Sequence, residues 1–461
     1  MKRIILLSLS LLLALSAFSQ DITGSWNGVL NELKLRLVFH IAKTGDSYTS
    51  TMDSPDQKAF GIPVTATTFD GLKLSLAVSN IGLLYEGELR NDSIVGTFKQ
   101  NVFSVPMILT RTPQEVKPVA RPQDPKPPYP YRSEEVTFEN KSAGITLAGT
   151  LTMPPSGNNF PAVILIAGSG AQNRNEEIMG HKPFLVIADY LTRQGIAVLR
   201  YDKRGIGQST GDFRSATTAD FAADAESAVA YLKTREEINP HKIGLIGHSE
   251  GGIIVPMIAA RSNDVAFIVM LAGSGIRGDS LLLLQNELIA KASGMPEDKI
   301  ARGSKLNTLI FGKITSAKDS VTLQEMTDFM TTLKSEAAEF IPNGMNSDDF
   351  IKNSAMQMTN PWMQYFLRYD PAPALEKVKC PVLALDGEKD LQIAPKENLS
   401  AISAALKKGG NKKATVKEYP DLNHLFQHCT TGLPSEYSII EETISPEVLH
   451  DIAEWMMQVV R

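Results

Sequence analysis

The chain has 461 residues, of which 43% are hydrophobic and 21% charged, so it holds enough apolar material for a large core and is not a disordered chain. At about 150 residues per domain, this length predicts two or three domains. The chain has 46 Lys and Arg against 51 Asp and Glu, a net charge of −5, so it lacks the excess of basic residues that is typical of a nucleic-acid-binding protein. Its two cysteines are too few for a disulfide framework.

Residues 1–19 have the pattern of a secretory signal peptide. Two basic residues precede an apolar run at 4–15, and Ala17 and Ser19 stand at the −3 and −1 positions of a cleavage site. A short membrane anchor is the alternative, but this run is too short for a hydrocarbon core, which needs about 20 residues. We therefore expect an exported, soluble product without a membrane span after signal cleavage, which is periplasmic if the source is a Gram-negative bacterium.

Residues 20–112 predict a small antiparallel β-domain. Apolar and polar residues alternate in short runs, separated by turn residues, at 33–37, 72–76, 85–89 and 94–98. Many short strands at regular spacing are typical of a barrel or a sandwich. Residues 113–132 then form a linker, because seven prolines fall between Pro113 and Pro130, and this stiff segment marks a domain boundary.

From residue 133 to residue 461 the pattern changes to alternating strands and helices. The predicted strands lie at 135–139, 146–153, 162–167, 196–201, 242–247, 265–272, 382–386 and 414–419, and the predicted helices at 184–194, 219–233, 251–260 and 446–460. Continuous apolar strands that alternate with helices indicate a mostly parallel sheet covered on both faces. Between about 277 and 370 the alternation stops, and we expect a helical insertion.

The segment Gly247-His248-Ser249-Glu250-Gly251 matches the pattern G-x-S-x-G. The pattern alone is weak, and a glycine-rich turn without chemistry is the alternative. Its context is specific, because a predicted strand precedes it and a predicted helix follows it. Such a sharp turn lifts the serine hydroxyl above the edge of the sheet, so Ser249 is the predicted nucleophile.

A serine nucleophile needs a base and an acid that orients the base. In this architecture the chain order is Ser, then Asp or Glu, then His, so only three histidines qualify: His424, His428 and His450. His424 follows the last predicted strand and therefore lies at the same sheet edge as the serine. His428 is the alternative one turn later, and His450 falls in the last helix, where we expect it at the surface.

The acid is expected in the loop after the strand at 382–386. Asp390 lies beyond the strand end, where it can reach the histidine. Asp386, at the strand end itself, is the first alternative, and Glu388 is the second.

The negatively charged tetrahedral intermediate needs two N–H donors. The backbone N–H of Glu250 begins the helix after the nucleophile and is the first predicted donor. The second is expected from the loop Gly168-Ser169-Gly170, since its small residues let the backbone approach a substrate. We predict Ser169 as this donor, with Gly170 as the alternative.

With these motifs in order, residues 133–461 resemble the α/β-hydrolase superfamily, and within it the serine esterase and serine-aminopeptidase-like branch. The matching blocks are 168–170, 201–209, 247–251, 387–390 and 423–424. One departure is Ala167, where the family usually has a histidine before the oxyanion-loop glycine. The resemblance implies that Asp202 and Arg204 belong to the scaffold, and that the helical insertion is a lid.

Four lid residues are candidates for an acyl pocket, namely Trp362, Met363, Tyr365 and Phe366, with ordinary helix core as the alternative. The expected activity is hydrolysis of small carboxylic esters of short to medium acyl chain through an acyl-enzyme, with no metal and no cofactor. A peptidase or thioesterase with the same three residues is one alternative. A ligand-binding module with an inert hydrolase half is another.

Overall fold

The computed structural model describes residues 21–31, 33–45, 47–57, 59–78, 81–100, 103–115, 119–341 and 346–461. The predicted signal peptide at 1–19 lies outside the described residues. Two sheets organise the rest, an antiparallel sheet in the N-terminal region and a mostly parallel sheet after the linker. None of the helices in the described residues combines the length and apolar character needed to cross a membrane.

The N-terminal sheet is a single antiparallel sheet whose two ends lie close together. Its described strands are β1 Gly24–Leu30, β2 Leu35–Thr44, β3 Ser47–Ser54, β4 Ala59–Val64, β5 Ala66–Phe69, β6 Lys73–Val78, β7 Leu83–Arg90, β8 Ser93–Gln100 and β9 Phe103–Thr110. The spatial order is β4-β3-β2-β1-β9-β8-β7-β6-β5, so the two edge strands are consecutive in the chain. The Thr67 hydroxyl of β5 donates to Ser50 Oγ of β3 at 2.9 Å, so one edge strand lies against the neighbour of the other edge strand.

Alternation along these strands explains the core of this N-terminal barrel. In β2, alternate side chains point inward, and Phe39 is fully buried together with Trp26, Tyr85 and Phe98 of other strands. The polar residues between them face solvent. The predicted antiparallel β-domain is therefore confirmed, and of the two predicted forms the structure has the barrel-like one.

The second sheet carries the strand–helix alternation. Its strands are β10 Arg132–Asn140, β11 Ile145–Met153, β12 Phe160–Ile166, β13 Ala197–Tyr201, β14 Ile238–His248, β15 Phe267–Leu271, β16 Val382–Gly387 and β17 Ala414–Tyr419. They are ordered β10-β11-β13-β12-β14-β15-β16-β17, with β10 and β11 antiparallel and the other six parallel. This arrangement confirms the predicted, mostly parallel sheet. β14 begins four residues earlier than predicted, because Ile238 pairs with Phe160 across a shift in register.

Helices cover both faces of this sheet and form the insertion. They are α1 Pro183–Arg193, α2 Thr218–Leu232, α3 Glu250–Ala259, α4 Gly278–Ala292, α5 Glu297–Thr315, α6 Leu323–Thr332, α7 Lys334–Ala337, α8 Ser347–Met358, α9 Pro361–Arg368, α10 Ala372–Leu375, α11 Pro395–Lys408 and α12 Pro446–Val459. Helices α4 to α9 fall within the predicted insertion and are called the cap below. The cap has an apolar core of its own, which includes Ile314, Met326 and Ala355.

The described part of the linker lies against the region that carries the second sheet. The Arg121 guanidinium donates to the backbone carbonyls of Met179 at 3.0 Å and Ser438 at 3.2 Å. The Gln123 side chain donates to the Ile444 carbonyl at 2.7 Å and accepts the Thr443 N–H at 2.6 Å. The prolines stiffen this segment, but side-chain hydrogen bonds fix its position.

Candidate active site

Ser249 stands in a strained turn between β14 and α3. Its φ of 54° lies in the left-handed region, which costs a residue other than glycine about 1–3 kcal/mol. Close packing requires the flanking glycines. A Cβ on Gly247 would lie 2.0 Å from the Gly251 carbonyl oxygen, and a Cβ on Gly251 would lie 2.0 Å from the Ile166 carbonyl oxygen. This turn leaves Ser249 partly exposed at the start of a helix.

The structure brings His424 and Asp390 into direct contact. His424 Nδ1 lies 2.6 Å from Asp390 Oδ2, and both side chains are almost completely buried. The other carboxylate oxygen, Oδ1, accepts the N–H groups of Gln392 at 2.7 Å and Ile393 at 2.9 Å. These donors hold the carboxylate in place. An Nδ1–H donated to Asp390 leaves the Nε2 of His424 as the acceptor for a hydroxyl proton.

The ring of His424 also lies near the serine turn, since its centroid is 4.8 Å from that of His248, the residue before Ser249. The two alternative histidines are elsewhere on the surface. His428 pairs with Glu442 at 2.8 Å, and His450 pairs with Glu454 at 3.6 Å.

Asp386 is buried beside Asp390. Its Oδ1 accepts the Gly387 N–H at 2.8 Å. Burial raises the pKa of Asp386 well above its usual range, and the charge of Asp390 and a hydrogen bond with it act in the same direction. These effects favour the neutral form of Asp386, in which its carboxyl group can donate to Asp390. The remaining alternative, Glu388, is exposed and accepts the Asp421 N–H at 3.2 Å.

The predicted oxyanion loop lies against the serine turn. A Cβ on Gly168 would come within 3.1 Å of Ser249 Cβ. The Gly168 N–H donates to Glu176 Oε1 at 2.5 Å, so it is not free for a substrate. Ser169 and Gly170 follow it and are exposed. Glu250 is the first residue of α3, a position at which the backbone N–H has no carbonyl partner within the helix.

The side chain of Glu250 is a feature that the sequence interpretation missed. It forms an ion pair with Lys203 at 2.9 Å, and the two side chains are only 1% and 5% exposed. Lys203 Nζ also donates to the Gly168 carbonyl at 2.6 Å, and Trp362 Nε1 of the cap donates to Glu250 Oε1 at 2.6 Å. One buried carboxylate thus joins the serine turn, the oxyanion loop and the cap. A charged residue directly after the serine, in an otherwise apolar helix, was the available signal.

The residues assigned to the scaffold are paired away from the serine. Arg174 donates to Asp202 at 2.8 Å, and Arg204 donates to both oxygens of Asp224 at 2.7 and 2.8 Å. These pairs fix the turn after β13 on the sheet.

A cavity of about 400 Å³, called the front pocket below, opens beside the oxyanion loop. Ser169 and Gly170 line one side, and Gln357, Trp362 and Met363 of the cap line another. Gln357 and Met363 also line a second, mostly apolar cavity of about 500 Å³ inside the cap. Of the four aromatic or Met candidates in α9, Trp362 and Met363 therefore face the front pocket. Phe366 is buried in the core.

Comparisons with known proteins found a family model, a relative and a solved structure that are similar to this chain. The family model of serine aminopeptidases (S33) matches residues 182–428, more than half of the chain. Esterase EstD of Thermotoga maritima is 26% identical over 328 residues, which are 70% of this chain and 68% of that protein. The solved esterase Pf2001 of Pyrococcus furiosus covers 74% of this chain and 98% of its own, with 14% identity and a TM-score of 0.42.

Proposed function

Because the chain belongs to the serine aminopeptidase (S33) family of α/β-hydrolases, we propose that it is an exported serine hydrolase that cleaves small carboxylic esters. The observation that carries this proposal is the buried contact of 2.6 Å between His424 and Asp390 beside the strained turn of Ser249. The signal-peptide pattern at residues 1–19 supports export.

In the proposed reaction, Ser249 Oγ attacks the ester carbonyl carbon while His424 Nε2 takes the hydroxyl proton. Asp390 holds the imidazole in orientation and stabilises its positive charge. The N–H groups of Glu250 and Ser169, or of Gly170 in place of Ser169, donate to the oxyanion. Collapse of the intermediate breaks the bond to the alkoxy group, which leaves as the alcohol with the proton from His424.

Water completes the cycle. His424 takes a proton from water, the hydroxide attacks the acyl carbon, and the acid is released as Ser249 regains its proton. No step of this proposed reaction needs a metal or an organic cofactor. The reaction therefore uses the same three side chains twice, first for acylation and then for deacylation.

The chemistry of the front pocket favours esters over aminopeptide substrates. An aminopeptidase has to hold a positively charged substrate terminus, for which a carboxylate is the natural partner. The described residues that line the front pocket include Arg214 but neither Asp nor Glu. The relative named an esterase, EstD, points in the same direction.

The direct test is a panel of substrates that share one acyl group, as an aryl ester, a thioester and an aminoacyl arylamide. We expect the highest kcat/KM on the aryl ester for the wild type, and none above background for Ser249→Ala. The family's aminopeptidase name makes a peptidase the second candidate. Faster turnover of the arylamide than of the ester would favour it and contradict our proposal.

We further propose a preference for short to medium acyl chains. The front pocket is small, and a longer chain has to pass Gln357 and Met363 to reach the cavity inside the cap. Initial rates on aryl esters from acetate to palmitate test this. We expect Met363→Ala to move the optimum to longer chains, whereas Met356→Ala, at an exposed cap residue, leaves it unchanged. A wild-type maximum at palmitate would contradict the preference.

A further inference from the structure

His248 is buried between two hydrogen-bond acceptors. Its Nδ1 lies 3.0 Å from Glu176 Oε1, and its Nε2 lies 2.9 Å from the backbone carbonyl oxygen of His424. The oxygen of Glu176 that faces the ring also accepts the Gly168 N–H, so it acts as an acceptor. A neutral imidazole has only one N–H. Both contacts are hydrogen bonds at the same time only when the ring carries two protons and a positive charge.

The surroundings of His248 sustain this charge. Burial by itself lowers the pKa of His248, but the charge of Glu176, its hydrogen bond and the His424 carbonyl outweigh burial and raise the pKa above its ordinary value. The carboxylate of Asp390 acts in the same direction, and the ring of His424, with its centroid 4.8 Å away, is a further titratable group that faces His248. The side chains of His248 and Glu176 are 9% and 4% exposed, so water screens this pair very little.

We propose that His248 and Glu176 form a positioning pair for the proposed ester hydrolysis: doubly protonated His248 holds the backbone of His424, and Glu176 holds the backbone of Gly168. This inference rests on the proposed function. Three hydrogen bonds join the oxyanion loop, the serine turn and the loop of the base, which are far apart in sequence.

The pair acts on the geometry of the reaction and not on the binding of substrate. His248 directly precedes Ser249, so a hydrogen bond from its ring to the His424 carbonyl fixes the base relative to the nucleophile. Neither His248 nor Glu176 lines the front pocket. Loss of the second proton on His248 therefore lowers kcat and leaves KM nearly unchanged.

Glu176→Gln tests this at nearly constant shape. The amide oxygen of Gln can still accept from Gly168 and His248. Its NH₂ group takes the place of Glu176 Oε2, which is buried without a hydrogen-bond partner. A void of about 10 Å³ lies beside Glu176 and His248, so the amide group has space there. What the variant loses is the negative charge. Burial then makes His248 neutral at lower pH, and the ring loses one of its two hydrogen bonds.

We expect the alkaline limb of the kcat/KM profile to move down by about one pH unit or more in Glu176→Gln. At pH 8 we expect kcat to fall roughly tenfold, and KM to stay within about twofold. The matched control is Glu454→Gln, which changes an exposed glutamate paired with His450 and should leave the profile in place. An unshifted alkaline limb in Glu176→Gln would overturn the proposal.

Thermal unfolding gives a readout that does not depend on activity. A raised pKa in the folded state stabilises the fold fully below the unfolded value of about 6.5, and this stabilisation is lost as pH rises through the raised value. The wild-type Tm should therefore fall towards that of Glu176→Gln as pH rises. A constant offset between the two curves from pH 6 to 9 would mean a purely structural role and would overturn the proposal. An enzyme inactive on esters would refute the proposed function but leave this comparison intact.

Discussion

Two histidine–aspartate pairs in the described residues have similar lengths in very different surroundings. In the N-terminal barrel, His40 Nε2 lies 2.9 Å from Asp53, and the two side chains are 42% and 22% exposed. At the edge of the second sheet that carries the proposed catalytic residues, called the catalytic edge below, His424 lies 2.6 Å from Asp390, and the side chains are 7% and 0% exposed. His40 also contacts Ser25 Oγ at 3.0 Å. Each histidine therefore contacts a carboxylate, and each region contains a serine hydroxyl, Ser25 in the barrel and Ser249 at the other site.

The difference between the pairs lies in what surrounds them. Water screens the barrel pair, and the backbone hydrogen bond of Gly61, followed by the bond to His40, lowers the pKa of Asp53. The pair of His424 and Asp390 is shielded from water, and the proposed nucleophile, Ser249, stands in a strained turn near the proposed N–H donors. A histidine–carboxylate contact therefore indicates catalysis only when burial, a positioned nucleophile and donors for developing charge accompany it.

The largest expected effect is at the nucleophile. Ser249→Ala should lower kcat on an aryl ester by about 10⁶-fold, because the acyl-enzyme cannot form. The hydroxyl is small and partly exposed, so circular dichroism and the Tm should stay close to wild type. Ser25→Ala in the barrel is the matched control, with activity retained. Retention of more than a small fraction of activity in Ser249→Ala would break the comparison.

The next effect separates the two aspartates. Asp390→Asn should lower kcat by about 10⁴-fold, since an amide favours the wrong tautomer of His424 and cannot stabilise its charge. The same substitution in the barrel, Asp53→Asn, should leave kcat within twofold. Steady-state kinetics at one pH near neutrality measures both. If the two variants were equally active, burial would not be what distinguishes the pairs.

A third substitution sharpens the comparison within the catalytic edge. Asp386→Asn should keep kcat within several-fold of wild type, because an amide N–H replaces the proton that neutral Asp386 donates to Asp390. Asp386→Leu removes this donor and should lower kcat about tenfold or more. The two rates are measured on the same aryl ester. A loss in Asp386→Asn as large as in Asp390→Asn would show that Asp386 acts in its ionised form.

The smallest effect is expected from removal of the barrel. A chain that starts at Tyr131 should keep kcat on a small aryl ester within a few-fold, since the proposed catalytic residues all follow the linker. A second chain that starts at Val119 keeps Arg121 and Gln123, and we expect its Tm to be a few degrees higher, at about 0.5–1.5 kcal/mol per retained hydrogen bond. An inactive but folded chain from Tyr131 would mean that the barrel completes the pocket.

Much of this architecture follows from local patterns in the sequence. Strand and helix periodicity and motif order were enough to predict the mostly parallel sheet and to select Ser249, Asp390 and His424 as candidates. The contacts of Glu250 were not predictable in this way, because Trp362 lies 112 positions further along the chain and reaches it only through the packing of the cap. Local patterns also left Asp386 and Asp390 as alternatives, since both are buried and only the packing of distant loops shows that Asp390 is the one in contact with His424.

The hydrogen bond from Trp362 to Glu250 makes Trp362 an intrinsic fluorescence probe of the cap. The chain has three tryptophans, of which Trp26 lies in the barrel and Trp455 in α12. An indole held 2.6 Å from a buried carboxylate emits differently from one that faces water, and separation of the cap from α3 breaks that contact. A protein with phenylalanine at positions 26 and 455 would therefore carry a single tryptophan, whose emission can be excited apart from that of the 11 tyrosines. Its emission would follow the cap during turnover without an attached label.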